Sequence, residues 1–143
     1  MRFMIILRGN EEFETKGAMP TEEMLNEMNK FNEELVNAGV MIGGDGLHPP
    51  QDGVRVTFKN GKATVTKGAS PGVLMGFWIW KLNSFDEAID WVKRIPGADG
   101  EIEIRQIFET EEFKDIMSPE AIAQEKRLYQ RVAEQNAKAA AAR

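Results

Sequence analysis

The sequence predicts an α+β fold: a mainly antiparallel sheet with two helices on one face, followed by a C-terminal helical arm. Three observations carry this. Apolar periodicity runs in the order strand, helix, short strands, long strand, helix, strand. Two of the strands, at Phe3–Leu7 and Val73–Trp80, are apolar on both faces. The composition then shifts: residues 119–143 hold eight alanines and a net charge of +2, against −7 for the rest of the chain. The 143 residues therefore divide into a domain at 1–110 and a helical extension at 111–143.

Met1–Arg8 reads as a strand with Phe3, Ile5 and Leu7 on one face and Met4 and Ile6 on the other. The polar stretch Gly9–Ala18 reads as a loop. Thr21 is positioned to cap a helix at about Glu22–Ala38, with Glu22 and Glu23 in its first turn. Met24, Leu25, Met28, Phe31, Leu35 and Val36 form its apolar stripe, and Gly39 stops it. Val40–Pro50 reads as a short strand and then an extended loop, stiffened at His48-Pro49-Pro50. Val54–Phe58 and Ala63–Thr66 flank Asn60-Gly61, a hairpin signal. Val73–Trp80 is the most apolar strand. Ser84 caps a second helix running to about Arg94, ended by Pro96-Gly97. Glu101–Phe108 alternates Ile102 and Ile104 inward with Glu103 and Arg105 outward. Ser118-Pro119-Glu120 starts the arm, whose last residues are expected to fray.

Composition narrows the chemistry. A net charge of −5 gives no broad basic face, so direct nucleic-acid binding is not expected. No cysteine and a single histidine, His48, leave no thiolate site and no multi-histidine metal site within one chain. No apolar stretch reaches the length of a membrane span and no targeting segment is visible, so the expected location is the cytoplasm. Two helices cover one sheet face, yet two strands are apolar on both. That mismatch predicts a homodimer packing sheet on sheet.

Several segments together resemble a known family. They are strand Phe3–Leu7, helix segment Phe31–Leu35, turn Ala38–Val40, the run from Gly43 to Pro50, the hairpin at Gly61-Lys62, the helix from Asp86 to Pro96, and strand Glu101–Arg105. In this order they are similar to YCII-related proteins of the DGPF-domain type, over roughly residues 1–108. The resemblance implies a ferredoxin-like fold that dimerises as an α+β barrel. Two departures stand out. Lys67-Gly68-Ala69-Ser70 occupies the place of the family's Asp-Gly-Pro-Phe, and the first helix has no histidine for the histidine–aspartate pair of YCII proper.

Candidate site residues follow from chemistry. His48 titrates nearest neutrality, and Asp45 lies three residues before it, so the pair suits general acid/base work with Asp45 as orienting partner or second acid/base. The plain alternative is a solvent-facing histidine and a turn-stabilising aspartate. Arg105 suits a bidentate grip on a carboxylate or phenolate, unless it pairs with neighbouring sheet-surface charge. Trp78 suits a pocket wall or core packing. Lys67 and Ser70 suit an anion site with the Gly68 backbone, or an ordinary polar turn. The eight methionines read as adaptable filler. The expected activity is binding or conversion of a small anionic organic molecule by acid/base chemistry without metal or cofactor. The alternative is a ligand-responsive interaction protein associated with transcription regulation, using its arm as contact surface.

Overall fold

The computed structural model describes residues 1–9, 19–68 and 74–143. Most of the expected Gly9–Ala18 loop, together with Ser70 and Val73, lies outside these. Two compact units are present, Met1–Ile107 and Phe108–Arg143.

In the first unit the order is β1 (Arg2–Arg8), α1 (Glu22–Asn37), β2 (Met41–Gly46), β3 (Val54–Lys59), β4 (Lys62–Lys67), β5 (Leu74–Lys81), α2 (Phe85–Val92) and β6 (Ile102–Gln106). Four strands form an antiparallel sheet in the order β2-β5-β1-β6, and β3 and β4 form a separate hairpin. This is a ferredoxin-like arrangement with the hairpin inserted between its second and third sheet strands. Val40–Pro50 holds the expected short strand and then a loop, with Gly43–Gly46 paired along β5.

The doubly apolar strand β1 sits between β5 and β6, as its two faces require. Register decides which residues share a face. Phe3 pairs with Trp80, Ile5 with both Trp78 and Ile104, and these point to the helices. Met4, Ile6, Phe77 and Ile79 fall on the opposite face and are half-buried.

Both helices start at the expected caps. Thr21 Oγ1 accepts from the Met24 amide at 3.2 Å, and Ser84 Oγ accepts from the Glu87 amide at 3.2 Å. The α1 stripe buries Phe31 and Leu35, and α2 buries Ala88. Phe31 is the hub of the core. Its ring meets Trp78, Trp80 and Trp91 edge-on, with centroids at 5.9, 6.3 and 6.2 Å.

Asn60 and Gly61 carry φ of 50° and 75°, the positive pair that a two-residue hairpin turn needs. Every residue of β3 and β4 is exposed, including Val54, Val56, Phe58 and Val65.

The second unit is a short 3-10 turn, Thr110–Phe113, followed by α3 (Pro119–Ala141). Ser118 Oγ accepts from the Ala121 amide at 3.1 Å. Helix continues to Ala141, in keeping with the high helix propensity of its alanines. Within this unit Thr110 donates to Glu125 at 2.9 Å, and Lys126 lies 3.0 Å from Glu111. The Lys126 hydrogen bond, then the Glu111 backbone and the lysine charge, hold the Glu111 carboxyl below its ordinary range. No helix among the described residues is long and apolar enough to cross a membrane.

Candidate functional site

A concavity of the first unit lies where the N-terminal half of α1 passes over one end of the sheet. Its volume is about 630 Å³, within the usual range for small-molecule sites. Its origin is a set of missing side chains. Gly44 pairs with Trp78 and Gly46 pairs with Gly76, so three glycines fall on the helix-facing side of β2 and β5. With no side chain at Gly46 or Gly76 to fill the space beneath α1, a cleft remains.

The three glycines differ in the space around them. A Cβ on Gly44 would stand 2.7 Å from Trp78 Cδ1 and 2.8 Å from the Phe77 carbonyl oxygen. A Cβ on Gly76 would stand 3.1 Å from the Asp45 carbonyl oxygen. A Cβ on Gly46 would have no atom within 4 Å. Gly44 therefore permits the close β2–β5 approach, while Gly46 borders open space.

The walls are apolar. Met19, Met24, Met28 and Met41 line the cleft with Leu7, Leu47 and Trp78, and β5 adds Met75 and the backbone of Phe77, whose ring alternates to the other face. Five of the eight methionines thus border this cleft. The signal was partly present: Met24 and Met28 are one helical turn apart, and Asn32 follows at the next turn. Asn32 is the polar residue that interrupts this line. It is half-buried, lines the cleft, and accepts from Trp78 Nε1 at 2.9 Å.

The residues singled out from sequence are not brought to one place. Asp45 borders the cleft, but it pairs with Phe77, so its side chain alternates to the opposite sheet face from Gly44 and Gly46. His48 does not pair with Asp45. After Pro49 the chain makes a 3-10 turn, Pro50–Asp52, which returns Asp52 Oδ2 to 3.7 Å from His48 Nδ1. The His48 side chain is 91% exposed. Arg105 lies on β6, the far edge from β2, roughly 14 Å away at ~4.8 Å per strand step. Its side chain is 72% exposed and 3.9 Å from Glu103, the surface pairing weighed against a substrate grip. Trp78 is buried in the core and borders the cleft. Lys67 ends the exposed hairpin. The Gly68 amide that an anion would need donates instead to the Gly53 carbonyl at 2.7 Å, and Ser70 lies outside the described residues. Among the described residues no cluster of three or more His, Asp or Glu is placed to hold a metal ion.

A family model of the YCII-related domain matches residues 1–111. The chain belongs to the YCII-related family. The match spans the whole sheet, both of its helices and the hairpin, so the cleft lies inside the YCII-related domain. A search of curated proteins finds no significant relative. The YCII-related assignment carries the fold, and the chemistry of this site must be argued from its own residues.

Proposed function

We propose that this YCII-related protein binds a small, largely apolar organic molecule in the cleft between α1 and the glycine-rich end of the sheet. The observation that carries this reading is Gly46, which borders open space beneath a wall of methionines. A position with no steric need for glycine fits a surface kept clear for a ligand. Methionine side chains adapt to apolar shapes, and Trp78 adds a rigid aromatic edge. Proton transfer by Asp45 and His48 is a further step that this geometry supports less well than binding. Asp45 turns away from the cleft floor, and His48 stands in solvent.

The test is Gly46→Leu. Its side chain enters the cleft without meeting a neighbour at Cβ, so the fold is retained. The neutral fluorophore N-phenyl-1-naphthylamine is expected to bind the wild-type protein saturably and the variant at least about tenfold more weakly, a difference of roughly 1.4 kcal/mol. Equal binding by both proteins would remove the cleft from the function.

The same reading includes a second copy of the chain on the other sheet face. Met4, Ile6, Phe77 and Ile79 form its half-buried centre, and neither α1 nor α2 packs there. The rim carries both signs, with Arg8 and Arg105 beside Glu103, so a two-fold copy sets cations against acids. Light scattering is expected to give twice the chain mass, and an Ile6→Glu variant the mass of one chain. A wild-type monomer at micromolar concentration would end this part of the proposal.

The interaction reading is favoured by one observation. Leu128, Tyr129 and Val132 are all exposed on α3, close enough in spacing to present an apolar stripe to a partner.

A further inference from the structure

We infer that the cleft selects an uncharged molecule carrying an acceptor oxygen, a carbonyl compound being the simplest class, and that the Asn32 amide group reads that oxygen. The inference rests on the cleft being the binding site.

Asn32 has a defined orientation. An indole N–H can only donate, so the atom 2.9 Å from Trp78 Nε1 must be the amide oxygen, and the NH₂ group must face the other way. The indole is itself held, by edge contact with Phe31 at 5.9 Å and by Trp80 at 5.6 Å. Asn32 also sits within α1, well inside both helix ends, on rigid backbone. The NH₂ group is therefore presented by a fixed frame. Its nitrogen makes no hydrogen bond among the described residues, although the side chain is half-buried in an apolar surface. A donor in that position gains most from an acceptor that arrives with the ligand.

The lining sets the charge of that ligand. Among the described residues that line the cleft there is no Lys, Arg or His, and Asp45 is the one ionisable group. A carboxylate would lose hydration without gaining a counter-ion and would approach Asp45. An ammonium would gain little, because the Asp45 side chain alternates to the far face of the sheet. The anionic ligand expected from Arg105 and Lys67 meets no cation among the described lining residues. A neutral ring or chain with one carbonyl or ether oxygen satisfies both the methionine walls and the Asn32 donor.

Four ligands on one ring system separate the terms: 2-acetylnaphthalene, 2-ethylnaphthalene, 2-naphthoate and 2-naphthylmethylammonium, each displacing N-phenyl-1-naphthylamine. The acetyl compound is expected to bind most tightly, about three- to tenfold better than the ethyl compound, as one net hydrogen bond would give. The two ions are expected to bind more weakly than the ethyl compound. Asn32→Asp keeps an acceptor for Trp78 and removes the donor, so it should erase the acetyl-over-ethyl advantage, read as the ratio of the two affinities within the variant. Asn32→Leu should erase the same advantage, which guards against a charge effect of the aspartate. Naphthoate binding as tightly as the acetyl compound, or an advantage surviving both substitutions, would overturn the inference while Gly46→Leu still supported the cleft. Loss of no ligand in Gly46→Leu, or no displacement by any of the four, would overturn both.

Discussion

Phe31→Ala is expected to lower the stability of the Met1–Ile107 unit by about 3–5 kcal/mol, a large part of the ~5–15 kcal/mol that holds a domain folded. The ring is 4% exposed and touches Trp78, Trp80 and Trp91 at once, so its removal leaves a void bounded by three rigid aromatic faces. Rigid walls collapse poorly into a cavity, which places the loss in the upper part of the range for such truncations. The loss should be read from hydrogen exchange of the β1 and β5 amides, which belong to this unit alone. Phe58→Ala is the control, since Phe58 is 77% exposed on the hairpin and should move stability by no more than about 0.5 kcal/mol. A Phe31→Ala loss below about 1 kcal/mol would mean that the aromatic cluster does not carry the core.

Gly44→Ala is expected to be nearly as damaging for its size, while Gly46→Ala, two residues along the same strand, should be neutral. One added methyl at Gly44 meets a tryptophan ring carbon at 2.7 Å and a backbone carbonyl at 2.8 Å. The ring is locked by Phe31 and Trp80, and the carbonyl belongs to the neighbouring strand, so neither can swing aside. β2 must lift from β5, at about 1–3 kcal/mol as for other overpacked sites. The lift also shifts one wall of the cleft, so N-phenyl-1-naphthylamine binding should weaken with it. Thermal melting of the two variants side by side checks this, and equal melting temperatures would show that β2 yields freely at Gly44.

Much of the framework was legible in the chain. The doubly apolar pattern of Phe3–Leu7 put β1 in the interior, Thr21 and Ser84 marked both helix starts, and Asn60-Gly61 marked the hairpin turn. Each of these is a local signal with a local cause. The floor of the cleft had no such signal, because it is made by side chains that are absent. That Gly46 stands opposite Gly76, and Gly44 against Trp78, depends on the register of two strands nearly thirty residues apart. The same register turns Asp45 away from the cleft floor, and a turn built on two prolines gives His48 to Asp52. Proximity in sequence suggested Asp45 with His48, and alternation along a strand does not respect that proximity. Asn32 was visible as a polar break in a helical stripe, but its meaning needed the tryptophan across from it.

The placement of the aromatic residues has a spectroscopic consequence. All three tryptophans, Trp78, Trp80 and Trp91, surround Phe31 in the first unit, and the single tyrosine, Tyr129, belongs to α3 in the second. Indole emission therefore reports only Met1–Ile107, and the tyrosine ring resonances in a proton NMR spectrum only Phe108–Arg143. A single denaturation series can follow the two units separately without a label, and coincident curves would mark them as one cooperative body. Because Trp78 also borders the cleft, the same emission responds to whatever enters there, so the protein carries its own indicator of occupancy.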